Sequence, residues 1–217
     1  MWPGNKGRWW YWIRPQVYQA GIQSFWVCGL ILLMIGMVIA FQSAYQLKSI
    51  GTEILIPDLL AVSMTRELAP MMTAWVIAGR AGASMTAEIG TMKVTEQIDA
   101  IQSMSIDPIR HLFMPRLLAL AAITPLLTIL SDILGIFGGF IVCVYRLQIS
   151  PQVYIDRVFD ALTFSDIYMG LVKSFIFGIL IAVVSCREGL EVKGGAQGVG
   201  LSTMKAVVLS FILIVVA

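Results

Sequence analysis

Five apolar runs, each near the length that crosses a bilayer, dominate this sequence: about 24–47, 56–83, 117–145, 167–186 and 201–217. A helix needs about 20 mostly apolar residues to span the hydrocarbon core. Inside hydrocarbon every backbone N–H and C=O must be bonded within the segment or its neighbours, so runs of this kind are helices. A soluble domain has no interior large enough to hide them: 58% of the 217 residues are hydrophobic and 13% charged, with a mean hydropathy of +0.84. The expected fold class is therefore all-α integral membrane, with five transmembrane helices in one domain over 1–217.

Composition also removes several function classes. A net charge of +2 gives no reason to expect nucleic-acid binding. Cys28, Cys143 and Cys186 lie in or at the ends of apolar runs with no CxxC pair, so they read as small packing residues. With His111 as the single histidine, the usual histidine metal sites and triads are out of reach within one chain. No catalytic and no metal-binding residues are expected.

Residues 1–23 join Lys6, Arg8 and Arg14 to Trp9, Trp10, Tyr11, Trp12 and Tyr18. Rings beside cations favour the headgroup layer, so an interfacial helix is expected there. A signal peptide is the rival; the apolar run that follows is too long for one and lacks a small-residue cleavage site. Arg80, Lys93, Arg110, Arg116, Arg187, Lys193 and Lys205 fall on the same side as the N-terminus, and only Lys48, Arg146 and Arg157 on the other. The positive-inside rule places the N-terminus in the cytoplasm and the C-terminus outside. Five spans from one copy enclose little space, so a homodimer is expected.

Polar residues that interrupt the apolar runs are the candidates for function. Arg66 and Glu67 lie roughly 15 Å into the second run at 1.5 Å per residue. A charge at such depth costs about 2.5–3.5 kcal/mol on insertion scales, so it faces a partner or a wet cavity. They are neighbours about 100° apart on a helix and need not pair with each other. One reading has Arg66 facing a lipid phosphate with Glu67 balancing charge. The other is a structural ion pair with Lys173, which sits in the fourth run and can also snorkel outward. Asp132, mid-span, reads as a protonated or helix-bonded carboxyl. Gly135 and Gly139 form a GxxxG step, whose ordinary meaning is tight helix packing.

The longest polar, patterned stretch is 79–104, GRAGASMTAEIGTMKVTEQIDAIQSM. Val94, Ile98 and Ile101 recur at helical spacing while Lys93, Glu96, Gln97 and Gln102 are polar, which predicts a short amphipathic helix between the second and third spans. Glu88, Glu96 and Asp99 outweigh Lys93, so a protein partner fits better than anionic headgroups. Asp107-Pro108 is expected to end this helix. A further amphipathic segment, VYIDRVFDAL, precedes the fourth span. The stretch GGAQGVGLST lacks the lysine of a phosphate loop and follows no strand, so it reads as a flexible turn.

The stretch ELAPMMTAWVIAGRAGASMTAEIGTMKVTEQIDAI, followed by DPIRHLFMPRLLAL, resembles the signature of the MlaE permease family, the membrane subunits of ABC transporters that move phospholipids and related lipids. The resemblance covers most of the chain and resumes at LVKSF near Lys173. It implies a coupling helix over 88–104, seated on a separate ATPase through Glu88, Gly90, Lys93, Thr95, Glu96, Ile98 and Asp99. It also implies that Arg66, Glu67 and Lys173 border the lipid pathway. The chain itself would carry no cofactor and no enzymatic step, with ATP and Mg bound by the ATPase. Further implied partners are a periplasmic MCE-domain lipid-binding protein and a small regulatory subunit on the ATPase, in the bacterial inner membrane. Members usually carry a few more residues after the fifth span and a longer N-terminus. Two other classes stay open. A non-transporting scaffold would tolerate Arg66→Ala and Glu67→Ala, and an intramembrane lipid enzyme would have only the scattered Glu67, Asp132 and Lys173.

Overall fold

The computed structural model describes residues 16–48, 51–105 and 107–217. Among them all regular structure is helical. The aromatic and cationic cluster of the expected interfacial helix, Lys6 to Arg14, lies outside the described residues, as does Ser49 of the first loop.

Helix α1 (Gln23–Lys48) is entered through a π-helical turn, Tyr18–Ile22. A helical run over 56–94, here α2, follows as Ile56–Ser63, a π-turn Met64–Leu68, Ala69–Ile77, a second π-turn Ala78–Gly82 and Ala83–Val94. After a break at Thr95 and Glu96 comes the short α3 (Gln97–Ser103). Another π-turn, Ile109–Phe113, leads into α4 (Met114–Tyr145). Then come α5 (Pro151–Ala161), α6 (Phe164–Leu190) and α7 (Gly195–Val216).

Among the described residues, four helices are long and apolar enough to cross a membrane: Ala20–Lys48, Ile109–Tyr145, Phe164–Leu190 and Gly195–Val216. The protein is a multi-pass membrane protein. The run 56–83, expected as the second span, is helical throughout, but Asp58, Arg66, Glu67, Arg80 and two π-turns interrupt it. Two π-turns have a local cause in the sequence. Pro70 and Pro115 each follow one within two residues. Proline has no N–H, and its ring crowds the carbonyl four residues back; a widened turn relieves that clash.

Several boundaries shift for similar reasons. Asp107-Pro108 opens α4's helix: the Ile109 N–H donates to Asp107 Oδ1 at 3.0 Å, and proline near a first turn loses no bond. The segment 88–104 is two helices because Glu96 adopts a left-handed conformation (φ 57°) between them. Most of GGAQGVGLST is helical, because α7 starts as early as Gly195. Gly194 and Gly195 make the turn, at φ 88° and 71°, which L side chains resist. The amphipathic α5 forms as expected, burying Tyr154 and Val158.

The chain divides into two compact units. One draws on 25–73 and 125–174. Leu32, Leu60, Met64, Val142, Cys143 and Tyr154 build its core. Its helices approach backbone to backbone: a Cβ on Gly36 would collide with the Gly135 carbonyl, and one on Gly138 with the Leu33 carbonyl. Gly135 and Gly139 pack on Met64 and Leu60 of the same chain, so the GxxxG step serves internal packing. The other unit takes in 74–124 and 175–217 with the last residues before α1. Here α2 lies against α6, the Thr86 hydroxyl donating to the Ser185 carbonyl at 3.1 Å. A Cβ on Gly82 would stand 2.9 Å from Ser185 Oγ, so only glycine permits that approach.

Candidate functional site

The π-turn Met64–Leu68 places Arg66 and Glu67 on a widened stretch of α2, and α6 supplies their partners. Gly170 on α6 makes this contact close, since a Cβ there would collide with the Thr65 carbonyl and touch Pro70 Cγ at 3.4 Å. Lys173, one turn on, reaches Glu67 Oε2 at 2.5 Å. The same ammonium donates to the Arg66 carbonyl at 3.5 Å, the acceptor that Pro70 leaves without its helical N–H. Arg66 turns the other way, with its guanidinium 3.6 Å from Asp166 Oδ1.

Asp166 is held rigidly. Its Oδ2 accepts the Thr163 N–H at 3.2 Å and the Thr163 hydroxyl at 2.7 Å, capping the start of α6. The four charges thus form two pairs and cancel. The side chains of Arg66 and Glu67 are 51% and 60% exposed, and that of Lys173 is 33% exposed. Charged groups open to their surroundings on apolar helices need a polar phase beside them. All three residues singled out in the sequence meet here. Asp166 was overlooked, although the pattern Thr163-x-x-Asp166 before an apolar run signals a helix cap.

The residues of 88–104 divide into two groups. Thr95, Glu96 and Asp99 are exposed around the break between α2 and α3, and Lys93 reaches Asp99 Oδ1 at 3.2 Å. Gly90 and Ile98 are buried. A Cβ on Gly90 would sit 2.9 Å from Val192 Cγ2. Ile98 packs with Ile89 and Cys186, and Met92, Leu112 and Phe113 close over them. Gly90 and Ile98 therefore hold the segment to its own unit rather than presenting it. Glu88 bonds Arg116 across to α4 at 2.8 Å. The buried Oδ1 of Asp132 has no hydrogen-bond partner among the described residues.

The family model described as permease MlaE matches residues 13–217. The chain belongs to the MlaE permease family. Its similarity to curated proteins is just as extended. A probable ABC transporter permease protein of Rickettsia typhi is 39% identical over 205 residues, covering 94% of this chain and 79% of the relative. One of Synechocystis is 40% identical over 202 residues, covering 93% and 77%. The Arabidopsis thaliana chloroplastic protein TRIGALACTOSYLDIACYLGLYCEROL 1 is 36% identical over 202 residues, covering 93% of this chain and 58% of its own length. This MlaE-family chain is thus an ABC transporter permease, a class whose name implies an ATPase partner.

Proposed function

We propose that this permease moves phospholipids or related lipids between membranes, driven by ATP that a separate ABC ATPase hydrolyses. The observation that carries the reading is the charged quartet Arg66, Glu67, Asp166 and Lys173 on otherwise apolar helices, with Arg66 and Glu67 exposed and Asp166 buried beneath them. One cation on α2, Arg66, and one on α6, Lys173, suit a lipid phosphate, since hydrogen bonds to ionised groups are about twice as strong as neutral ones. Each cation already has a carboxylate that a headgroup would displace; the freed Glu67 is exposed enough to be hydrated, and Asp166 would keep its hydrogen bonds from Thr163. The Arabidopsis relative's name contains a galactosyl glycerolipid, which supports a lipid substrate more broadly but not a phosphate headgroup in particular.

In this reading the run 56–83 is a fifth span and two copies enclose the pathway. The exposed Thr95, Glu96 and Asp99 belong to a coupling segment over 88–104 that seats on the ATPase, with Lys93 at its edge. The chain performs no chemistry of its own; ATP and Mg reside on the ATPase. A periplasmic MCE-domain protein would exchange the lipid, and a small regulatory subunit would sit on the ATPase. The location is the bacterial inner membrane, with the N-terminus cytoplasmic and the C-terminus periplasmic.

The test is purification in mild detergent from the native membrane, with bound proteins and lipids identified by mass spectrometry. Wild type should retain an ATPase, an MCE protein and phospholipid. Glu96→Lys with Asp99→Lys should lose the ATPase, and Arg66→Ala should lose phospholipid while keeping the ATPase. An intact wild-type preparation that carries no ATPase would overturn the proposal in favour of the scaffold.

A further inference from the structure

The sequence offers Arg116 only as one more positive charge, yet in the folded chain its side chain is 5% exposed and sits at the base of the 94–105 segment. A guanidinium is always charged, so burying one is costly unless its donors are met. Arg116 NH2 lies 2.8 Å from Glu88 Oε2 and NH1 donates to the Leu112 carbonyl at 3.2 Å, while the buried Nε has no partner among the described residues. Glu88 is on the last part of α2, and Leu112 is in the π-turn that starts α4. Arg116 therefore ties together the two helices between which α3 is suspended.

A second link runs through the same place. Ile98, the buried residue of α3, forms a cluster with Ile89 and Cys186, and Leu112 and Phe113 pack against that cluster. Leu112 thus borders the cluster that anchors α3 and meets Arg116 through its carbonyl. By contrast the Lys93–Asp99 pair is exposed at both ends and adds little stiffness. We propose that Arg116 is a positioning residue: with Glu88 and Leu112 it makes α3 and the base of α4 move as one body, so that force applied to 94–105 reaches the membrane helices. The claim rests on the proposed seating of this segment on an ATPase and adds how the movement is passed on.

Three variants test it in the full chain, assembled with its ATPase in lipid nanodiscs. Arg116→Met keeps the bulk and removes the charge, leaving a Glu88 carboxylate that can turn to water because it is 47% exposed. Glu88→Gln breaks the same pair from its exposed side, should the buried change fail to fold. Arg116→Lys keeps the charge. Hydrogen exchange over 88–105, measured without ATPase, should rise several-fold in Arg116→Met and Glu88→Gln and stay low in Arg116→Lys. Exchange in both broken-pair variants equal to wild type would refute the latch. With ATPase and a fluorescent phosphatidylethanolamine as probe, Arg116→Met should retain the ATPase but transfer about tenfold less lipid per ATP, with Arg116→Lys recovering most of it. An unchanged ratio, or a loss that merely tracks lost ATPase, overturns the coupling role. A wild type that binds no ATPase overturns that role together with the docking reading, while exchange still reports the latch.

Discussion

Gly170→Ala tests the joint between α2 and α6 that brings Arg66, Glu67, Asp166 and Lys173 together. The added Cβ would come within 3.0 Å of the Thr65 carbonyl, closer than real Cβ atoms stand. Both partners are backbone, so no rotamer change absorbs the clash; the helices must part by several tenths of an ångström at least. Overpacking of this kind costs about 1–3 kcal/mol. At about 2–4 °C per kcal/mol for chains of this size, that lowers the melting temperature by roughly 2–12 °C. The same separation opens the 2.5 Å contact between Lys173 and Glu67, so phospholipid retained after purification should change as well. Gly79→Ala is the control. Its Cβ would meet only Phe211 Cζ at 4.0 Å, and replacing a helical glycine by alanine gains about 0.5–1 kcal/mol. Thermal unfolding in detergent, followed by tryptophan fluorescence with lipid quantified by mass spectrometry, reads both. The reasoning fails if Gly170→Ala melts with the wild type and holds the same lipid, or if Gly79→Ala is the worse of the two.

Ile98→Asp should destabilise the chain itself by about 3 kcal/mol or more, because it buries a carboxylate among Ile89, Leu112 and Phe113; thermal melting of the ATPase-free protein checks this. Glu96→Gly should raise stability by about 1 kcal/mol through relief of φ 57°, and Glu96→Val should lower it. Tyr154→Phe removes a buried hydroxyl that donates to the Ile136 carbonyl at 2.9 Å, costing about 1 kcal/mol at neutral pH. Burial, aided by Cys143 nearby, holds the Tyr154 phenol well above its ordinary range. The native state therefore keeps that proton as pH rises past about 10, the unfolded chain loses it, and stability falls. Tyr154→Phe should flatten this alkaline decline in a pH series of melts.

Much of the architecture is legible before any coordinates. Four of the expected spans are helices of crossing length, and the fifth, 56–83, is a helix too polar to qualify on length and apolarity. Apolar runs are read easily because hydrocarbon leaves a backbone few ways to satisfy its hydrogen bonds. Local breaks are harder. Glu96 is neither glycine nor asparagine, so nothing in its type announces the left-handed turn that divides 88–104. Prolines gave mixed signals as well: Pro108 opens a helix where a stop was expected, and Pro70 and Pro115 widen turns without ending them.

Periodicity and composition were sufficient to assign the lipid phase and the helical class, because each follows from solvation of groups along a single helix; the grouping of Arg66, Glu67 and Lys173 in one pathway set came from the resemblance to the MlaE family. An ion pair with Lys173 was one of two readings left open; the other pairings did not follow. The pairing of Lys173 with Glu67, of Arg66 with Asp166 and of Arg116 with Glu88 joins residues 28 to more than 100 positions apart. It depends on glycine-sized gaps between helices and on turns widened by proline. Those are properties of two surfaces brought together, and they come into being only when the helices pack.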